Sequence, residues 1–248
     1  MSVIIPAYNE AKHIGASVAS ARQALAQTAR SCPDLRWRVI VVDNNSTDAT
    51  ATIASGSGAD LVLFEPINQI ARARNAGATA ALERVGAGPD HWLIFLDADS
   101  RLGPALLMDV IDSARSGQIV GGGAVVQFDP PIPALRTGER LMNWGIRVLN
   151  VTPGAFIFCR ADAFAEIGGF DRRLYAAEDA KIGSQMKRWG RSRGLRMVIL
   201  HRNAVITSSR KFALYRPHEF ASLILRALLN PAALRDRSRL PIFYDGRR

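Results

Sequence analysis

Two cysteines among 248 residues, Cys32 and Cys159, are too few for a disulfide scaffold, and neither belongs to a C-x-x-C pair that would hold zinc. Free thiols in a reducing compartment are the expectation. Long apolar runs are missing too, none approaching the roughly 20 residues that cross a bilayer. Met1 leads directly into an apolar strand, so a secretory leader is not expected and a cytoplasmic location is. Aromatic residues make up only 7% and are scattered, without the clustered rings of a nucleic-acid reader, although the net charge is +10. That charge attracts polyanions, anionic lipid included, without specifying a sequence. Specific nucleic-acid binding is therefore not expected. Internal repeats and linkers are also lacking, which leaves one domain over residues 1–248. Its 48% hydrophobic and 22% charged residues are ordinary for a globular core.

What the chain does have is a pair of acids in a telling place. Trp92-Leu93-Ile94-Phe95-Leu96 follows the turn-like Gly88-Pro89-Asp90 and reads as a fully buried parallel strand. It runs into Asp97-Ala98-Asp99. Ligands of open α/β sheets bind outside the carboxyl ends of such strands. Two carboxylates that close repel unless a cation lies between them or one stays protonated. Hard oxygen donors on a short loop suit Mg²⁺ or Mn²⁺, which can in turn hold phosphates. The plainer alternative is that both acids cap the helix beginning near Pro104.

Two further strands end in the same manner. Ser2 to Pro6 is apolar and leads to Ala7-Tyr8-Asn9-Glu10, and Val39 to Asp43 leads to Asn44-Asn45-Ser46-Thr47-Asp48. An Ala-rich, helix-favouring stretch from Ala11 to Ala29 separates them. Alternating strands and helices imply a mostly parallel sheet with right-handed crossovers, which carries the strand ends to one rim. Tyr8, Glu10, Asp43, Asp97 and Asp99 are expected to converge there.

These blocks, with Ala73-Arg74-Asn75-Ala76-Gly77, Gly154-Ala155, Ile167-Gly168-Gly169-Phe170-Asp171 and Glu178-Asp179, closely resemble the family 2 glycosyltransferases. The resemblance covers about the first three-quarters of the chain and implies a GT-A fold, a single Rossmann-like α/β domain. Residues 1–99 are then expected as the nucleotide-sugar half and 100–215 as the acceptor and catalytic half, while the arginine content and helical spacing of 216–248 suggest a basic helix and tail. By the same resemblance the donor is a nucleotide-diphosphate sugar, UDP- or GDP-linked, and the acceptor a hydroxyl. Pro6, Ala7, Tyr8, Glu10 and Asp43 are then expected around base and ribose, and Arg74 and Asn75 beside the phosphates. Asp97, Ala98 and Asp99 are the expected DxD metal site for Mn²⁺ or Mg²⁺.

Residue chemistry is compatible with these roles. Asp43 can accept a hydrogen bond from a uracil imide, Tyr8 offers a face for stacking, and Arg74 is a fixed cation for a diphosphate. Each also has an ordinary reading: Tyr8 as packing, Asp43 as the cap of the helix after Asn45, Arg74 as a solvated helix charge. Gly121-Gly122-Gly123 is expected to lie where backbone approaches a ligand, ahead of a strand from Ala124 to Phe128. A helix is expected from about Gly138 to Asn150.

Transfer needs a base, and by family position Asp179 is that residue, with Glu178 orienting it or touching the acceptor. Both also suit the N-terminus of the helix from Ala180 to Trp189. The expected reaction inverts at the anomeric carbon. Transfer of a single sugar is expected on the premise that the QxxRW signature of the family's processive polysaccharide synthases is missing. Arg210 and Lys211 are candidates for closing over the donor diphosphate. His201, where the apolar strand Val198 to Leu200 meets a loop, is the candidate third metal ligand beside Asp97 and Asp99.

Phe220 to Leu234 has apolar residues at helical spacing beside several arginines. It is expected either to pack on the domain or to lie at the inner face of a membrane, near a lipid-linked acceptor. Two other functions compete. A sugar nucleotidyltransferase would carry a Gly-rich basic loop after the first strand, where Ala7-Tyr8-Asn9-Glu10 stands instead. A non-catalytic nucleotide-sugar-binding relative would lack the metal or base carboxylates, and Asp97, Asp99 and Asp179 are all present.

Overall fold

Apolar stretches too short to be helices and bounded by polar turns form the middle of the molecule. In the computed structural model, which describes residues 1–131 and 136–210, Ser2–Ala7 (β1), Arg38–Asp43 (β2) and Trp92–Leu96 (β4) are strands buried almost end to end. Leu61–Phe64 (β3) completes the parallel part of the sheet. Ser100–Arg101 (β5), Ile119–Asp129 (β6), Phe156–Arg160 (β7) and Arg196–Ser208 (β8) extend it to eight strands in the order β3-β2-β1-β4-β7-β6-β8-β5. Only β7 and β5 run against the others. One mostly parallel sheet therefore spans both the early and the late part of the chain.

Helices cover both faces, as crossovers between parallel strands require. Ile14–Ser31 (α1), Thr50–Gly56 (α2) and Pro104–Arg115 (α4) share one apolar core with Val3, Ile5, Val39, Val41 and Leu96. Ile70–Val85 (α3), Ala161–Ile167 (α6) and Glu178–Arg191 (α7) share the other with Ile4, Ile40, Phe95 and Ile157. Alternate residues of each strand thus feed opposite cores. Arg136–Leu149 (α5) is different: it lies against β6 and buries none of its residues.

Two expectations are adjusted by this arrangement, those for Pro6 and for the glycines 121–123, and that of free thiols holds. Pro6 does not end β1, which continues to Ala7; it pairs with Val42 beyond the last β4 partner, Ile4, where only one neighbour remains to bond. Cys32 and Cys159 are free and buried, and burial pushes the Cys159 thiol up, out of reach of ordinary thiol chemistry. The glycines 121–123 lie inside β6 rather than before it, and what approaches them is protein. A Cβ at Gly122 would stand 1.7 Å from the Val198 carbonyl oxygen, so this part of the sheet closes only around hydrogen. Gly122→Ala should therefore cost at least about 1–3 kcal/mol in urea denaturation, whereas Gly88→Ala, with open space around it, should stay within about 0.5 kcal/mol.

Candidate functional site

The polar ends of β1 and β2 are laced together. The Asn44 amide donates to Ala7 O at 2.7 Å, Asn9 N to Ser46 Oγ at 2.9 Å, Thr47 N to Asn9 Oδ1 at 2.8 Å, and Glu10 N to Thr50 Oγ1 at 2.8 Å. Asn9 and Asn45 take the positive φ that asparagine tolerates, and so turn the two loops toward each other. Pro6, Ala7 and Glu10 are buried and Tyr8 half-buried. Asp43 is also buried, and its Oδ1 accepts the Ser46 amide at 3.1 Å. That bond holds the loop ahead of α2 rather than capping the helix itself.

Asp97-Ala98-Asp99 forms the turn between β4 and β5. Ala98 is buried, Asp97 and Asp99 half-buried, and the Asp99 carbonyl accepts the Ser208 amide from the end of β8 at 3.1 Å. Each carboxylate meets a guanidinium. Arg74 Nη2 lies 2.9 Å from Asp97 Oδ1, and Arg210 Nη2 lies 3.0 Å from Asp99 Oδ2 while also pairing with Glu10.

Arg74 departs from one of its readings. Its side chain is 1% exposed, so it is not a solvated helix charge. Nη1 donates to Glu178 Oε1 at 2.9 Å and Nη2 to both Asp97 Oδ1 and Gly154 O, while the guanidinium stacks on the Phe170 ring. Burial alone would lower its pKa, but Asp97, Glu178 and Asp179 together raise it. Asn75 is committed to a backbone contact: its amide donates to Phe170 O and accepts from Phe170 N, both at 2.9 Å, and so pins the turn after α6.

Glu178 and Asp179 open α7, which begins two residues earlier than the expected start at Ala180. Burial, with help from the Asp179 charge and against the Arg74 cation, pushes the Glu178 carboxyl up to about 7. Burial raises Asp179 likewise, against Arg74 and the amide of Ala180. The connection from α5 to β7, from which only Gly154-Ala155 was singled out in the sequence, supports this pair: Thr152 Oγ1 donates to Asp179 O at 2.5 Å, and Gly154 faces the Asp179 carboxylate. A Cβ at Gly154 would lie 3.0 Å from Asp179 Oδ2.

Two expectations need correction. His201 does not stand at a strand end. β8 runs on to Ser208, and the ladder steps from Ala124–Leu200 to Val126–Val205, so His201 is exposed at a mid-strand bulge while Thr207 and Ser208 reach Asp99. Among the described residues no group of three or more His, Cys, Asp and Glu is arranged to hold a metal. The premise about processivity also fails, because Gln185-Met186-Lys187-Arg188-Trp189 does spell Q-x-x-R-W. These residues sit within α7, however, and serve its packing. Gln185 donates to Ile167 O, the Trp189 indole donates to Glu166 at 2.9 Å, and Arg188 is exposed. Lys211 and the stretch Phe220 to Leu234 lie outside the described residues.

Five carboxylates, those of Glu10, Asp97, Asp99, Glu178 and Asp179, thus share two guanidiniums. The excess negative charge and all-oxygen donor set fit a hard divalent cation that takes one or two carboxylates and completes its shell with phosphate and water. They do not require imidazole.

Comparison with known proteins adds the lineage. The family model described as "Glycosyl transferase family 2" matches residues 2–168. The succinoglycan biosynthesis protein ExoA of Rhizobium meliloti is 26% identical over 201 residues, 76% of this chain and 58% of that protein, so this chain spans little more than half of that relative's length. A mannosyltransferase of Pyrobaculum calidifontis, PcManGT, in complex with GDP-Man and Mn²⁺ superposes with a TM-score of 0.66 at 18% identity, covering 98% of this chain and 67% of that one. S. aureus TarS 1–349 in complex with UDP-GlcNAc gives 0.58 at 19% identity, covering 98% and 70%.

Two outcomes are expected of the buried cluster. Arg74→Met should cost about 3–5 kcal/mol, read by urea denaturation, because Asp97 and Glu178 lose their shared cation. Glu178 titrates at about 7 in the folded chain against 4.5 ordinarily, so the folded chain keeps a proton there that the unfolded chain releases. That contribution is complete below about pH 4.5 and is lost as pH rises through about 7. Denaturation between about pH 5 and pH 8 should show the parent losing stability relative to Glu178→Gln.

Proposed function

Because the chain belongs to glycosyl transferase family 2 and has the GT-A fold, we propose that it is a glycosyltransferase that moves one sugar from a nucleotide-diphosphate donor to an acceptor hydroxyl, inverting the anomeric centre. The observation that carries this reading is the meeting of three strand ends at one rim, with a carboxylate-rich turn, Asp97 to Asp99, beside the helix start that bears Asp179. The loops after β1 and β2, with Tyr8 and Asp43, take the base and ribose. Of the described structural neighbours, one was solved with GDP-Man and another with UDP-GlcNAc, and either nucleotide is the donor class proposed here.

A divalent cation held by Asp99 and Asp97, Mn²⁺ or Mg²⁺, would supply the positive charge that lets a diphosphate depart. Asp179 accepts the proton of the acceptor hydroxyl as that oxygen bonds to the anomeric carbon. The bond from that carbon to the diphosphate oxygen breaks at the same time, and its electron pair leaves with the phosphate. This is the geometry of inverting glycosidases with a hydroxyl in place of water. A carboxylate with a raised pKa is the stronger base for that task; the Ala180 amide fixes its direction, and Thr152 holds the Asp179 main-chain carbonyl. Glu178 orients the pair through Arg74, which it shares with Asp97.

Transfer of a single sugar remains the reading even though a Q-x-x-R-W string is present, because Gln185 and Trp189 face α6 and not the rim. A lipid-linked hydroxyl and peripheral contact with a membrane's inner face belong to the same proposal. Among the described residues no helix is long and apolar enough to cross a membrane.

Two substitutions test the roles separately. Asp99→Ala should abolish the Mn²⁺-dependent part of nucleotide-diphosphate binding in calorimetry and leave the melting curve in place; unchanged metal-dependent affinity would remove the metal assignment. Asp179→Asn should lower turnover by roughly 10²–10⁴-fold with donor affinity nearly intact, and substantial residual rate would remove the base. A binding protein without transferase activity would show donor affinity in both parent and variants and no sugar transfer in any.

A further inference from the structure

The helix α5 is built the wrong way round for a helix of a water-soluble domain. Its inward face is held by polar contacts. Asn143 clamps the backbone of Val126, donating to its carbonyl at 2.8 Å and accepting its amide at 2.9 Å. Glu139 accepts the Phe128 amide at 3.2 Å, and Met142 and Ile146 fill the remainder. At 3.6 residues per turn, that face leaves Leu141, Trp144 and Val148 together on the opposite side. They are 65%, 61% and 60% exposed, and Leu149 beside them is 69% exposed. Hydrogen bonds to β6 thus fix the apolar stripe outward; it is not a core face awaiting rotation.

Charge tells what covers it. Arg136, Arg140 and Arg147 are exposed and follow one border of the stripe, and Lys187 reaches the Leu149 carbonyl at the helix end. The single acid of the helix, Glu139, points inward to Phe128. An apolar stripe with an indole, bordered by four basic side chains and no outward acid, complements an anionic lipid surface: the rings and branched chains enter the acyl boundary while the arginines meet headgroup phosphates. A second copy of the chain would set these basic borders against each other, or against apolar surface.

We propose that α5 is an interfacial helix that seats this protein on an anionic bilayer through Leu141, Trp144 and Val148. This docking does not rest on the sugar-transfer reading, and its test needs neither donor nor acceptor. Its consequence for that reading is positional. Asn150 to Gly154, which follow α5 directly, end on Arg74 and Asp179, so a lipid-borne hydroxyl would enter from the side that faces the membrane.

The test is co-sedimentation of the full chain with phosphatidylcholine vesicles, with and without phosphatidylglycerol, and quenching of tryptophan fluorescence by brominated lipid. Pelleting should require the anionic lipid and weaken with salt. Trp144→Phe should still pellet but lose the quenching, since Trp37, Trp92 and Trp189 lie elsewhere. Leu141→Ser with Val148→Ser should weaken the partition coefficient at least about tenfold, with the thermal melt unchanged because both side chains are exposed. Three results would overturn the proposal. One is no pelleting on anionic vesicles. Another is pelleting that ignores both the stripe variant and Trp144, which would give the membrane contact to another segment. The third is concentration-dependent dimerisation that the stripe variant abolishes, which would make the stripe a contact between copies.

Discussion

A single guanidinium holds the two parts of this molecule in register. Arg74 comes from α3, which packs on β1 in the early part of the chain, yet three of its partners lie in the later part: Glu178 at the head of α7, the Gly154 carbonyl, and the Phe170 ring. The fourth, Asp97, sits on the turn where the two sides meet. A buried cation with that many fixed acceptors has no alternative arrangement of similar energy, since moving any partner leaves charge unpaired in a poorly hydrated place. The positions of Asp97 and of Asp179 therefore depend on the same atom group. A shift at one is felt at the other, and the spacing between the Asp97 turn and the head of α7 is set by protein contacts.

The strand ends were legible in the sequence because burial and chemistry alternate sharply there. Val3 to Ile5, Val39 to Val42 and Trp92 to Leu96 are apolar on both faces, and each is followed at once by residues that cannot be buried without partners. What was not legible is what those partners are. Arg74 sits in an Ala-rich helix, where an arginine is normally solvated, and its ligands Asp97 and Glu178 come 23 and 104 residues later. His201 misled for a related reason. The run Val198 to Leu200 looks like a complete strand, but a bulge lets the backbone continue through polar residues to Ser208. Local pattern reports burial; it does not report a register shift. The string Gln185 to Trp189 shows the converse, a motif present in letters whose side chains are committed to α6.

The helix α5 shows a further limit of periodicity. Its apolar residues recur at helical spacing, which by itself says only that one face avoids water. The side that faces the domain was decided by Asn143 and Glu139, two polar residues that bond to the backbone of β6. Polar groups can aim a helix as firmly as apolar ones, and they aim the apolar face outward when they do so.

The Arg210 pair with Glu10 spans 200 positions of chain, while the bonds that lace the loops after β1 and β2 span about 40. Contacts this distant in sequence carry the largest closure cost and form late. The loops after β1 and β2 can set once residue 50 has been made, whereas Glu10 and Asp99 gain the Arg210 guanidinium only after most of the chain has been synthesised.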